Sequence, residues 1–271
     1  MGREKVICAW EVDGAIVDPG PQSCEHALLD ALGGEPPRAL LLTHIHFDHA
    51  GAAGSLVRRW PDLPVYVHER GAPHLVDPSR LVASAGRIYG GEEGLRRLWG
   101  EIVPVPEENL NVLSGGERDV LGAFRVEYTP GHASHHVAYL HEASGWAFVG
   151  DVAGVRIPPH DYTLAPTPPP DIDVASWERS LELVGAWEPA GLGLTHFGGV
   201  EDAPQQLAAC REALHSQVEL LRRTDKEGFI AELRVRAERE EGEDAGSLIQ
   251  AAPPDQLWLG LDRWRQKFAQ D

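Results

Sequence analysis

Cysteine is scarce. The 271 residues hold three, Cys8, Cys24 and Cys210, far apart and in no CxxC pair. That spacing suggests neither a disulfide framework nor a cysteine-built zinc site, and favours ordinary core or surface thiols. Long apolar runs are missing too, so no stretch is suited to spanning a bilayer. Met1-Gly2-Arg3-Glu4-Lys5 leads into a strand-like segment rather than an apolar signal region, so a cytoplasmic protein is expected. Basic charge is in short supply: Lys and Arg number 24 against 42 Asp and Glu, a formal net charge of −18. A surface this acidic repels phosphate backbones, and a nucleic-acid partner would need a local basic patch. Arg58-Arg59, Arg96-Arg97 and Arg222-Arg223 are isolated pairs that read as solvated helix faces. Neither an internal repeat nor a low-complexity segment occurs.

What the chain does have is concentrated histidine. Thr43-His44-Ile45-His46-Phe47-Asp48-His49-Ala50-Gly51 follows the apolar run Ala39-Leu40-Leu41-Leu42, which reads as a short buried strand. Three imidazoles and a carboxylate beside such a strand are costly to bury unless something binds them. In extended chain, alternate residues share a face, so His44 and His46 can address one ion. Asp48 and His49 sit where the chain turns into a helix and can swing toward a second. Imidazole and carboxylate are the ligands that zinc-like metals take. A His-rich loop without metal is the competing reading, and the burial cost counts against it.

The pattern His44-x-His46-x-Asp48-His49 resembles the signature of the metallo-β-lactamase superfamily. The resemblance implies an α/β fold, a four-layer αββα sandwich, here with a C-terminal helical extension. It also implies three later ligands. Thr129-Pro130-Gly131-His132, closing the strand-like Phe124–Tyr128, matches the second motif and offers His132. Gly150-Asp151, ending the apolar Trp146–Val149, matches the bridging carboxylate. Thr195-His196, after Gly191–Leu194, matches the last ligand. By family correspondence His44, His46 and His132 would hold one metal, Asp48, His49 and His196 the other, and Asp151 would bridge them. Asp18 and His136 fall where the family places residues that support the ligands without binding metal; for Asp18 a turn-forming role before Pro19-Gly20 is nearly as good a reading. The resemblance aside, His44, His132, Asp151 and His196 each follow a short apolar strand, so one sheet edge could gather them. His68 fits no ligand position and reads as structural, and so does His135.

The rest of the chain alternates strand and helix signals. Val6–Val12 and Ala15–Val17 read as strands joined at Asp13-Gly14, a hairpin signal. A helix is expected from Ser23 or Cys24 to Leu32, stopped by Gly33-Gly34. The segment 78–100 reads as mostly helical, broken at Gly90-Gly91. Its Arg87, Tyr89, Arg96 and Arg97 are candidate substrate contacts, with a solvated helix the better reading. Residues 157–171 form a proline-rich loop, expected to be an ordered wall near the metals. His160, Asp161 and Tyr162 on it are candidate substrate-side residues. Asp173 reads as the N-cap of a helix over 174–187. Helices are expected over 203–223 and 226–241, then a connector over 242–254. A final helix over 255–268 carries Leu257, Trp258, Leu261, Trp264 and Phe268 as a stripe. The stripe would pack on its own domain, or else form a dimer surface or roof the site. The organisation read from this is a catalytic domain over 1–201 and a helical region over 202–271.

The resemblance implies hydrolysis. A water activated between two divalent metal ions, Zn2+ first with Fe or Mn as alternatives, would attack an ester, thioester or lactone, with Asp48 orienting it or taking its proton. His49 and Asp151 set the chain apart from zinc β-lactamases, which mostly carry Cys or Arg in the second site. Val152-Ala153-Gly154 lacks the Tyr that acyl-homoserine lactonases carry after the bridging Asp. The ligand set is like that of glyoxalase II-type thioesterases, although the residues after Asp151 are not. The alternatives are a mononuclear iron oxygenase of the persulfide-dioxygenase type and a ligand-binding or regulatory protein on the same scaffold. The expected partner is a small-molecule substrate, with no nucleic acid and no membrane; a homodimer stays open.

Overall fold

The computed structural model describes residues 3–268. Contacts divide the chain into two compact units, Ala9–Glu117 and Arg118–Asp271, the latter joined by Gly2–Cys8. No helix among the described residues is long and apolar enough to cross a membrane.

The first unit runs β1 (Trp10–Val12), β2 (Ala15–Val17), α1 (Glu25–Ala31), β3 (Ala39–Leu41), α2 (Phe47–Ala50), α3 (Ala53–Arg59), β4 (Val65–His68), α4 (Ala72–Val76), α5 (Ser79–Tyr89), α6 (Gly91–Trp99) and β5 (Leu110–Leu113). Its sheet has the order β1-β2-β3-β4-β5. The hairpin β1–β2 is antiparallel; β2 to β5 are parallel neighbours. Asp13 and Gly14 both take positive φ, 50° and 77°, as a tight two-residue turn requires. The β2 and β3 residues are all buried, the uninterrupted apolar pattern of a parallel sheet covered on both faces. Ile16, Leu40, Leu42, Leu56, Val65 and Val67 form its core. Because β2 and β3 are parallel, Asp18 and the Thr43–His46 segment emerge from adjacent carboxyl ends of one sheet, where open α/β sheets place their sites.

The second unit runs β6 (Phe124–Tyr128), β7 (Val137–His141), β8 (Trp146–Gly150), β9 (Val155–Arg156), β10 (Thr163–Leu164), α7 (Val174–Gly185), β11 (Gly191–Leu194), β12 (Gly198–Val200), α8 (Ala203–Arg223), α9 (Lys226–Glu241), α10 (Ala245–Ala251) and α11 (Pro254–Phe268). Its main sheet has the order β12-β11-β8-β7-β6, and β9 and β10 form a two-stranded ribbon. β7 is antiparallel to both β6 and β8, and β11 is parallel to β8, so β6, β8 and β11 all run the same way.

Two expectations shift. The first strand begins at Trp10 rather than Val6, because the chain before it pairs elsewhere: the Cys8 amide donates to the Thr195 carbonyl at 2.8 Å. The division read at 201/202 is not where contacts divide. One core runs from Ala138 through Trp177 and Leu214 to Leu257 and Leu261, so the helices after residue 202 belong to the second unit. The α11 stripe accordingly packs on its own unit: Leu257 and Leu261 are buried and Trp258 and Trp264 lie against that core, whereas Phe268 is exposed. The connector over 242–254 contains α10, whose Ala245 and Leu248 are buried.

Candidate metal centre

In the first unit, Asp18 is the anchor. Its carboxylate is fully buried and accepts from the Thr43 amide at 2.8 Å, the Thr43 hydroxyl at 2.7 Å and His49 Nδ1 at 2.8 Å. A buried carboxylate is tolerable only when so satisfied. These partners assign ring tautomers. His49 carries its proton on Nδ1, which turns the lone pair on Nε2 to the other side of the ring. The Thr43 hydroxyl hydrogen is committed to Asp18, so Oγ1 is left to accept from His44 Nδ1 at 3.1 Å, and His44 likewise presents Nε2. His44 Nε2 then lies 3.0 Å from His46 Nδ1. The His44 ring centroid is 4.5 Å from that of His46 and 3.9 Å from that of His49. Three imidazoles are therefore gathered at the carboxyl end of β3. Asp48, in the first turn of α2, is half-buried.

In the second unit, His132 follows β6, Asp151 follows β8 and His196 follows β11, all buried and all at the same edge of the sheet. His132 Nδ1 donates to the Pro166 carbonyl at 2.7 Å, and His196 Nδ1 donates to the Val6 carbonyl at 2.6 Å. Both rings thus turn Nε2 toward Asp151, at 3.2 Å from Oδ2 for His132 and 3.6 Å from Oδ1 for His196. Each carboxylate oxygen faces a different imidazole. With Nδ1 protonated in both rings, lone pairs would face lone pairs across those gaps unless each ring carried a second proton or a cation lay between. A donor set of imidazole nitrogens and carboxylate oxygens, each ring held from behind, fits a divalent metal of the zinc class.

His136 is fully buried and serves the backbone: its Nε2 accepts from the Asp151 amide at 3.3 Å, while Nδ1 pairs with the Thr129 hydroxyl at 2.8 Å. Gly131 makes the turn before His132 with φ of 135°. The proline-rich segment is interrupted by the β9–β10 ribbon. There Arg156 holds the His160 carbonyl at 2.9 Å and pairs with Asp161, the His160 ring faces Asp244 at 3.8 Å, and half-buried Tyr162 packs against the core. His68 is buried with Nδ1 accepting from the Arg70 amide at 3.3 Å, and burial pulls its pKa down. The groups that sequence reasoning missed are those behind the rings. Val6 and Pro166 act through backbone carbonyls, which leave no sequence signal. Thr43 and Thr129 act through hydroxyls, and the recurrent Thr in Thr43-His44 and Thr129-Pro130-Gly131-His132 was the available hint.

The sequence profile of the metallo-β-lactamase superfamily matches residues 13–190. The chain belongs to this superfamily. Among its relatives is the Bacillus subtilis protein named "Probable metallo-hydrolase YqgX", 33% identical over 139 residues, which cover 51% of this chain and 59% of that one. A hydroxyacylglutathione hydrolase of Xylella fastidiosa is 35% identical over 137 residues, covering 50% of this chain and 39% of the relative. The chain thus spans less than two thirds of the length of either. In fold it is similar to an archaeal metallo-β-lactamase superfamily protein from Sulfolobus tokodaii. There the TM-score is 0.67 at 22% identity, over 97% of this chain and 93% of the other.

Proposed function

We propose that the chain is a metal-dependent hydrolase. It would hold two divalent cations, one on His44, His46, His132 and Asp151 and the other on Asp48, His49 and His196. The observation that carries this reading is the Asp151 carboxylate, whose two oxygens face the lone-pair sides of two different imidazoles. Zinc suits the nitrogen and oxygen donors, and iron or manganese would accept the same set.

Divalent cations held by these residues would supply water that ionises near neutral pH and Lewis-acid polarisation of a substrate oxygen. The protein's own part is orientation. Asp18, the Val6 carbonyl and the Pro166 carbonyl hold Nδ1–H of His49, His196 and His132 respectively, which fixes the orientation of each ring and turns Nε2 away from its support. His136 fixes the Asp151 backbone. Asp48, the half-buried carboxylate of the set, would take the proton of the attacking water and pass it to the leaving group. The substrate would be a small ester, thioester or lactone, and the relative named hydroxyacylglutathione hydrolase supports an acyl group as the electrophile.

Metal analysis of purified protein, with a panel of lactone, thioester, aryl ester and phosphodiester substrates, tests this. Two zinc-class ions per chain and acyl-bond hydrolysis are expected. His46→Ala and Asp151→Ala should each lose metal and abolish turnover while keeping the circular dichroism of the fold. Undiminished hydrolysis in both variants would reject the mechanism. One iron per chain with oxygen consumption would replace it by the oxygenase reading.

A further inference from the structure

The segment that holds His132 from behind is itself held. Gln217 on α8 is 2% exposed, and its side-chain amide grips one residue at both ends. Its Oε1 accepts from the Ala165 amide at 2.9 Å, and its Nε2 donates to the Ala165 carbonyl at 2.8 Å. The next carbonyl along the chain, that of Pro166, is the acceptor for His132 Nδ1. One residue further, the Thr167 hydroxyl donates to the Leu257 carbonyl of α11 at 3.1 Å. Gly260 of α11 lies so close that an added Cβ would fall 2.0 Å from the Thr167 carbonyl oxygen.

Residues 165–167 are therefore fixed by α8 on one side and α11 on the other, with the His132 acceptor in the middle. We infer that Gln217 is a positioning residue for the metal centre, setting the His132 ring through the backbone of Ala165-Pro166. The side-chain chemistry is specific to the task. A primary amide supplies one donor and one acceptor, the complement of a single residue's carbonyl and N–H. Glu would lose the donor, and an apolar side chain would leave both backbone groups unsatisfied in the interior. A helical region outside the ligand motifs thereby acquires a share in metal affinity, because partners behind a ligating His commonly govern affinity by roughly 10- to 100-fold.

The inference rests on the reading of His132 as a metal ligand, and the test separates the two. Co2+ affinity is measured by chelator competition, and the visible bands of the Co2+ form are recorded, for the wild type, His132→Ala and Gln217→Met. Loss of affinity by about 10-fold or more in Q217M, with altered bands in protein that is folded by circular dichroism, is expected. A global loss of stability would not by itself move the bands of the folded fraction. Wild-type affinity and bands in Q217M, alongside a crippled H132A, overturn the positioning role and leave the metal centre standing. Undiminished Co2+ binding by H132A removes the ligand reading and the inference with it. Should Q217M fail to fold, Gln217→Glu, which keeps the acceptor for the Ala165 amide and loses the donor to its carbonyl, carries the test: severalfold weaker Co2+ binding with altered bands is expected, and unchanged binding and bands refute the inference.

Discussion

Glu241, the last residue of α9, gives a prediction independent of any metal. Its side chain is 1% exposed, and neither carboxylate oxygen has a hydrogen-bond partner among the described residues. Burial, reinforced by repulsion from Asp244 and Glu240 and opposed by Arg156 and Lys5, pushes its pKa from the usual 4.5 up to about 7. Below pH 4.5 the folded and unfolded chains both hold this proton, and the group adds no pH dependence. Between 4.5 and about 7 the unfolded chain has released a proton that the folded chain keeps, so stability falls as pH rises. Above about 7 both states are ionised and the loss is complete. The shift corresponds to about 3 kcal/mol, taking ~1.4 kcal/mol for each pH unit. Glu241→Gln keeps the side-chain shape and removes the ionisation. Urea denaturation of the two proteins should give a stability gap in favour of E241Q that is under ~1 kcal/mol at pH 5 and about 3 kcal/mol at pH 8. Titrating groups that do not interact with Glu241 are common to both chains and cancel in the difference. A gap that stays constant across this range would show that Glu241 is solvated or paired, and would refute the argument.

Further outcomes follow from the ligand supports. Asp18→Asn should keep the backbone, since Asn accepts the left-handed φ of 50° found there, but its NH2 end cannot accept from Thr43 or His49. Metal affinity by chelator competition should fall by roughly 10- to 100-fold, and stability in thermal melts by about 1–3 kcal/mol. Gly131→Ala should be severe, because the new Cβ would lie 2.3 Å from Trp177 Cα at a φ of 135°. A loss of ~3 kcal/mol or more in denaturant melts is expected, accompanied by weakened metal binding as His132 shifts. Wild-type stability in this variant would contradict the close approach of α7 to the turn.

Long helices and ligand-type residues were legible in the sequence; what orients them was not. α8 and α9 start where their caps announce them, at Asp202 and Asp225, whose side chains accept from the Gln205 and Gly228 amides. The seven-residue α10 was missed because a helix this short is marginal on its own and forms by burying Ala245 and Leu248. The strand expected from Val6 overran because its backbone is bonded to residues nearly two hundred positions away: the Cys8 amide donates to the Thr195 carbonyl, and the Val6 carbonyl accepts from His196 Nδ1. Asp18 shows the middle case. Beside Pro19-Gly20 it reads as a turn former almost as well as a ligand support, and its triple use as an acceptor appears only when β2 and β3 lie side by side.

The placement of the other buried histidines shows why strand direction matters as much as residue type. In the second unit β6, β8 and β11 run one way, and His132, Asp151 and His196 follow their carboxyl ends. β7 runs the opposite way, so His141 at its carboxyl end sits at the other edge of the sheet. There it pairs with Ser144 at 2.8 Å in the β7–β8 turn. Burial alone would not separate the two classes, since His141 is 6% exposed and His135, in the turn after His132, 8%. Direction is not sufficient either. His68 ends β4, which is parallel to β3, yet β4 lies on the side of β3 away from β2 and its Asp18. Its Nδ1 is spent accepting the Arg70 amide, and burial holds the ring neutral. Within the second unit, strand direction delivers His132 and His196 to the edge where Asp151 lies and His141 to the other, and a backbone carbonyl accepts from Nδ1 of each of the first two. Within the first unit, the Thr43 hydroxyl and the Asp18 carboxylate accept from Nδ1 of His44 and His49, whereas Nδ1 of His68 is itself an acceptor.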